Sequence, residues 1–146
     1  MAQLSYSQQF GKAYEGQIAD DSPCTIDSFR AGGAIVYGRG VIRGANDSTV
    51  VIAAASGLLK GVAVRNHQLP SEGDVVANDM VSVLRKGRVF GEVAVNVTAE
   101  QQAYVVTAVG ADQGKFTNVS TNNLLAGRFL TAGNDGDLVK IAVDFV

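Results

Sequence analysis

Residues 89–97 read Val-Phe-Gly-Glu-Val-Ala-Val-Asn-Val and give the clearest indication of the fold class. Valine or glycine occupies every odd position, whereas Glu92 and Asn96 fall on the even positions. Because successive side chains of a β-strand point to opposite faces, this two-residue period predicts a half-buried strand and not a helix. Residues 139–145 alternate in the same way and predict a final strand.

Similar valine-rich runs occur along most of the chain, separated by clusters of Gly, Asn and Asp that are typical of turns. We predict further strands over residues 34–43, 49–54, 58–65, 80–85, 103–109 and 128–131, with a weaker one over 116–119. Residues 98–101 form a capping-box pattern, which predicts one turn of helix at most. Eight or nine short strands therefore predict a single all-β domain, either a β-barrel or a jelly-roll-like sandwich.

The first 32 residues differ from the rest, because their apolar residues are isolated among Gln, Ser, Asp and Gly. We predict an irregular N-terminal arm over residues 1–32 and a β-barrel or jelly-roll-like domain over residues 33–146. The arm either packs on its own domain or docks on another subunit. Deleting residues 1–15 should leave folding intact and weaken assembly if the arm docks elsewhere. The candidate interface residues are Tyr6, Phe10, Tyr14, Ile18, Ile26 and Phe29.

Composition and charge exclude several classes of protein. A chain of 146 residues buries enough surface to fold without a disulfide or a metal, and Cys24 is expected to be an inert thiol. The net charge of −2 offers no basic face for nucleic acid, so we interpret Arg85, Lys86 and Arg88 as ordinary charges around a hairpin turn. Since neither a secretory signal nor an apolar span is evident, we expect a soluble protein made in the cytoplasm, with no membrane partner.

The sequence contains no convincing constellation of catalytic or ligand-binding groups. The single histidine, His67, lies in a polar loop without an associated nucleophile or carboxylate motif. Residues 38–44 contain three glycines, but their spacing does not fit a dinucleotide or phosphate loop, so a glycine-bearing strand is favoured. Asp20, Asp21 and the Asn-Asp-Gly-Asp run at 134–137 do not match a calcium loop and are interpreted as turns. We therefore predict no catalytic residue, metal or cofactor.

The order of four segments resembles the structural cement proteins of tailed phages. These segments are Gly-Gln-Ile-Ala-Asp at 16–20, the glycine-bearing strand at 38–44, Gly-Val-Ala-Val at 61–64, and residues 81–89 with their basic Arg-Lys-Gly turn. The similarity covers about residues 15–109. It implies a subunit on the outer capsid surface of the virion, made in the host cytoplasm, that holds major capsid protein subunits together. It also implies a small homo-oligomer, a dimer or a trimer, without catalysis.

Two other classes of function compete with the one that this resemblance implies. A carbohydrate- or receptor-binding jelly roll of a virion usually displays aromatic rings for sugar stacking, and this chain has no Trp and four Tyr. A trimeric nucleotide pyrophosphatase of the dUTPase type is disfavoured, because its Gly-x-Ile-Asp-x-x-Tyr segment is absent. The carbohydrate-binding module remains the alternative.

Overall fold

The regular structure of the described part of the chain consists of β-strands. The computed structural model describes residues 15–19, 23–55, 57–64 and 75–144. Nine strands occur in them: β1 (Thr25–Ala31), β2 (Gly40–Arg43), β3 (Thr49–Ile52), β4 (Leu59–Val64), β5 (Met80–Glu92), β6 (Gln102–Val105), β7 (Phe116–Thr117), β8 (Leu124–Phe129) and β9 (Leu138–Asp144). The predicted all-β class and strand number are confirmed. The same residues contain no helix long and apolar enough to cross a membrane.

Five of the strands close into a barrel in the order β1-β3-β2-β4-β5, because β1 also pairs with β5. The strand β1 runs parallel to β3 and antiparallel to β5. One face of each strand points inward, so small and β-branched side chains fill the interior. This barrel core consists of Ala31, Ile35, Val41, Val50, Ala63, Val75, Val81 and Val83. The predicted β-barrel is confirmed.

The remaining strands extend from β5 in the order β9-β8-β6-β7 and enclose a second core. This core also takes side chains from the barrel strands, because β4 points Ala63 into the barrel and its neighbours Val62 and Val64 away from it. The largest buried side chains in the second core are Phe116 and Phe129. Both cores therefore depend on β4 and β5.

A bulge lets β5 serve both cores. Thr25 pairs with Lys86 and Ile26 pairs with Leu84, so Arg85 is an extra residue on β5. An extra residue shifts the side-chain alternation by one position. Val83 accordingly faces the barrel core, whereas Leu84 and, beyond the bulge, Val89 face the second core.

The predicted hairpin turn around Arg85, Lys86 and Arg88 is wrong, because these residues continue within the thirteen-residue β5. Residues 80–86 pair with β1, and residues 86–92 pair with β9. Strand partners thus satisfy the backbone on both sides of the basic run. Gly87, with φ of 140°, accommodates the local distortion without reversing the chain.

The prediction that residues 1–32 are irregular is wrong for Thr25–Ala31, which form β1. Most side chains of β1 are exposed or half-buried, so the strand lacks the apolar alternation that marks the others. Backbone pairing with β3 and β5 holds it in place instead. Residues 1–14 lie outside the described residues, and the boundary at residue 32 stays a prediction.

Three other segments differ in detail from the prediction. The strand predicted over 89–97 ends at Glu92, although Val93 and Val97 remain buried and form single bridges. The strand predicted over 103–109 ends at Val105, and the chain continues as a loop. Residues 98–101 form a turn and not a helix, in which the Thr98 N–H donates to Gln101 Oε1 at 2.9 Å.

Candidate interaction surface

Three of the six predicted interface residues lie within the described part of the chain. Ile18 forms a bridge with Val89 and packs half-buried against the second core. Phe29 packs half-buried against the barrel core, with Lys60 Nζ 6.0 Å from its ring centroid. Ile26 is 41% exposed and is the one of the three that offers substantial apolar surface. Tyr6, Phe10 and Tyr14 lie outside the described residues, and the interface role of all six stays a prediction.

The segment that leads into the domain is fixed along β5. The N–H of Gly16 donates to the Phe90 carbonyl at 2.9 Å, and the N–H of Phe90 donates to the Gln17 carbonyl at 2.9 Å. Gly16 has φ of 76° and lies against Gly38, where an added Cβ would stand 2.7 Å from the Gly38 nitrogen. Residues 15–19 therefore pack on their own domain, as the first interpretation of the arm expects.

A polar cluster surrounds the point where residues 1–14 join the domain. Lys115 Nζ lies 3.0 Å from a Glu92 carboxylate oxygen and 3.0 Å from an Asp112 carboxylate oxygen. The Glu15 carboxyl hydrogen-bonds to Glu92, and Arg39 lies close enough to act on its charge. The side chains of Lys115 and Glu92 are 14% and 20% exposed, so their ion pair is weakly screened by solvent. We call these five residues the polar cluster.

The electrostatics of the polar cluster follow from its charges. Burial, the hydrogen bond to Glu92 and the negative charge of Glu92 raise the pKa of Glu15, while Arg39 and Lys115 oppose this shift. Burial lowers the pKa of Lys115, but the hydrogen bonds and charges of Glu92 and Asp112 outweigh it, so the net pKa is raised. Glu15 is thus stabilised as the protonated partner, and Lys115 as the cation.

The polar cluster also holds the loop between β6 and β7. Arg39 Nη1 donates to the carbonyls of Ala111 and Gln113 at 3.0 and 3.1 Å. At the other stem of the loop, Thr107 Oγ1 donates to the Asn122 carbonyl at 2.6 Å. Both stems are therefore tied to the body of the protein.

No sequence motif predicts this arrangement. Arg39 lies in the glycine-bearing stretch at 38–44, whose β2 portion is a strand as predicted. Glu92 ends β5, and Lys115 immediately precedes β7. These residues approach one another because the β6–β7 loop folds back over β2, where the Gly40 N–H donates to the Gly114 carbonyl at 2.9 Å.

Two shallow depressions lie elsewhere on the described surface. One, of about 560 Å³, crosses β6, β8 and β9, with Leu125 on its wall and the Glu100–Arg128 ion pair at its rim. The other, of about 540 Å³, is lined by polar loops and by no aromatic ring among its described residues. Its amides largely bind one another, as where Asn118 Nδ2 donates to Gln101 Oε1 at 3.2 Å. It therefore lacks the stacking platform that the carbohydrate-binding alternative would use.

The Asn-Asp-Gly-Asp run forms a turn, as predicted. The Asp137 N–H donates to the Asn134 carbonyl at 2.9 Å, and Gly136 adopts φ of 89°. The Asp137 carboxylate is also used locally, since it accepts from the Asn134 N–H at 2.9 Å. Within the described part of the chain, no group of three or more His, Cys, Asp or Glu residues is arranged to hold a metal ion.

Comparison with known proteins gives one family and several solved structures, of which two are described here. A family model described as "Structural cement protein (E217 gp24/Pam3 gp6)" matches residues 2–144. The structure titled "The capsid of Myoviridae Phage XM1" has a TM-score of 0.75 and 17% identity, covering 98% of this chain and 97% of that chain. The structure titled "The crystal structure of head fiber gp8.5 N base in bacteriophage phi29" has a TM-score of 0.56 and 15% identity, covering 84% and 95%. No curated protein sequence matches.

Proposed function

The chain belongs to the phage structural cement protein family, and we propose that it binds the outer surface of a tailed-phage capsid and stabilises contacts between major capsid protein subunits. It is a capsid-associated structural protein of a phage. The observation that carries the proposal is the span of the family match, residues 2–144, which includes both the arm and the barrel. We assign it no catalytic role.

A binding protein of this kind stabilises a shell by mass action. A ligand that binds the assembled shell but not its dissociated parts adds about 2.7 kcal/mol per site when its concentration is a hundredfold above its Kd. The closed barrel supports this role, because a rigid domain has little conformational entropy to lose on docking.

We further propose that residues 1–14 reach a neighbouring subunit. Their apolar side chains, Leu4, Tyr6, Phe10 and Tyr14, are separated by polar residues. This spacing supports the proposal, and the contacts of Gly16 with Gly38 and β5 would tie such an arm to its own domain. We propose a small homo-oligomer, a dimer or a trimer, as the unit that docks.

Shell binding tests the proposed function. Purified protein is mixed with mature shells of the same phage that lack it, and we expect it to co-sediment with them and to raise their disruption temperature. Shells that neither retain the protein nor gain thermal stability would contradict the proposal. The mass of the protein in solution, measured in parallel, tests the dimer or trimer.

Removal of residues 1–14 tests the arm. The truncation ends before Glu15, so the hydrogen bonds of Gly16 and Gln17 with β5 remain and the melting temperature should change little. We expect shell affinity to fall about tenfold or more, since the loss of buried apolar contacts worth about 1.4 kcal/mol has this effect.

The matched control for the truncation keeps the arm and replaces Gln8 and Gln9 by alanine. We expect the control to bind shells as the unmodified protein does, because the proposed contacts are apolar. If the truncated protein binds with unchanged affinity, the arm has no docking role.

A further inference from the structure

The segment at residues 15–19 is held to the domain by few buried contacts. The N–H groups of Gly16 and Ala19 donate to carbonyls of β5 at 2.9 Å, and the Phe90 N–H donates back to the segment. Gly16 is the buried residue of the five, and Ile18 packs half-buried against the second core. A segment with little buried surface opens at a lower free energy than the whole fold. We call residues 15–19 the arm root.

The arm root meets the domain through its backbone. A Cβ on Gly16 would stand 2.7 Å from the Gly38 nitrogen, and a Cβ on Gly38 would stand 2.5 Å from the Gly16 nitrogen. Two backbones in direct contact leave no side chain between them that could absorb a displacement. Movement of the arm root away from Gly38 therefore breaks this contact and the hydrogen bonds to β5 together.

The polar cluster lies on the arm root, because Glu15 belongs to both. It contains three carboxyl groups and two cations, namely Glu15, Glu92 and Asp112 with Arg39 and Lys115. The hydrogen bond between the carboxyl groups of Glu15 and Glu92 needs a proton on one of them, since an ionised carboxylate can only accept. With this proton the two negative and two positive charges of the cluster balance. Without it the cluster carries one excess negative charge.

We propose that the polar cluster is a proton-operated latch: while Glu15 is protonated the arm root stays seated on β5, and loss of the proton favours its release. The groups that face Glu15 are Glu92 at the end of β5, Arg39 before β2, and Lys115 with Asp112 in the β6–β7 loop. The latch acts within one molecule and does not depend on shell binding.

The direction of the latch follows from the charges around Glu15. Burial, followed by the hydrogen bond and the charge of Glu92, raises the pKa of Glu15 in the folded protein. The seated arm root is therefore favoured below the ordinary pKa of this carboxyl group, and it loosens as the pH rises through the raised value. Since residues 1–14 precede the arm root, the latch sets how firmly the base of the arm is held.

Amide hydrogen exchange of the purified protein tests the latch. The N–H groups of Gly16 and Phe90 bond across the arm root and β5, and we call them the latch amides. Their protection factors, corrected for the intrinsic effect of pH on exchange, should fall severalfold between pH 4 and pH 8. Low urea should leave these factors unchanged, because a local opening exposes little surface. The Ile35 amide, bonded to the Val75 carbonyl at 2.9 Å beside the barrel core, should be sensitive to urea.

Glu15→Gln separates the latch from other effects of pH. Glutamine keeps a hydrogen bond to Glu92 and carries no charge, so the protection of the latch amides should no longer fall between pH 4 and pH 8. The matched control is Asp47→Asn, which removes an exposed carboxylate from its 2.8 Å ion pair with Arg43. The control should retain the pH dependence of the unmodified protein.

Three results would overturn the latch. The latch amides could keep the same protection at both pH values, or lose as much protection in Glu15→Gln as in the unmodified protein. Glu15 would then not control the arm root. Their exchange could also be as sensitive to urea as that of Ile35, in which case the arm root opens only when the whole domain unfolds. None of these results bears on shell binding, so failure of the latch leaves the proposed function standing.

Discussion

Among the described residues, Glu15 is the one whose ionisation the fold opposes most clearly. Its carboxyl group faces Glu92, and Arg39, Lys115 and Asp112 complete the charges around it. The pKa of Glu15 is raised above 4.5, first by burial and then by Glu92. Its contribution to folding stability is therefore fully present below about pH 4.5 and is lost as the pH rises through the raised value in the folded protein.

Glu15→Gln tests this dependence. The neutral amide can donate to Glu92 at every pH, so the variant should melt at a higher temperature than the unmodified protein at pH 8. At pH 4 the two should melt at nearly the same temperature, because Glu15 is then protonated. Thermal unfolding followed by circular dichroism across this range checks the prediction.

The control for Glu15→Gln is Glu100→Gln, since Glu100 forms a 3.4 Å ion pair with Arg128 on the exposed surface. Its substitution should not raise the melting temperature at pH 8. If the melting temperatures of Glu15→Gln and the unmodified protein differ by the same amount at every pH, ionisation of Glu15 does not lower folding stability, and the prediction is contradicted.

Among the elements, most strands were predictable because one of their faces is buried. The predicted strands over 49–54 and 58–65 coincide with β3 and β4 within a few residues, and β9 follows the alternation of residues 139–145. A two-residue period depends on which face of the strand is buried. It is therefore visible in the sequence whichever strands are its neighbours.

The features of β1 and β5 that sequence reasoning missed are products of tertiary structure. β1 is held by backbone pairing with strands distant in sequence and shows no apolar stripe. Arg85 is an extra residue only because of the register in which β5 pairs with β1, and no residue type in the sequence predicts it. The basic Arg-Lys-Gly run suits a turn by composition, yet a bulge accommodates it as well.

The candidate site was less predictable than the fold. Glu15, Arg39, Glu92 and Lys115 lie on four separate segments and meet only after the β6–β7 loop folds over β2. The alternation of its neighbours predicts that Val109 ends a strand, whereas the structure places it in an exposed loop. Local patterns carry no information about such contacts.

At the scale of the whole molecule, the two cores should unfold together, because β5 lines both of them. Gly91→Ala tests this coupling. A Cβ on Gly91 would stand 2.5 Å from Phe116 Cε2 and 3.1 Å from Ile141 Cδ1, so alanine overpacks the second core. We expect a loss of about 1–3 kcal/mol in urea unfolding. Amide exchange in β2 and β3, which belong to the barrel, should accelerate as well.

The control for Gly91→Ala is Gly33→Ala, because a Cβ on Gly33 meets no atom within 4 Å. Its free energy of unfolding should stay within about 0.5 kcal/mol of that of the unmodified protein. If Gly91→Ala accelerates exchange in β8 and β9 but leaves β2 and β3 unchanged, the two cores unfold independently.

The pairing of β1 with both β3 and β5 has a consequence for solubility. It seals the ring, and the outermost strand of the described extension, β7, has only two residues. Long unpaired strand edges recruit other chains and seed aggregates. The capsid-binding role proposed above would require many copies of this protein to be present together before they dock. The closed barrel leaves no long unpaired edge among its five strands through which such copies could pair backbone to backbone. Contacts of the barrel with other molecules are then made by side chains.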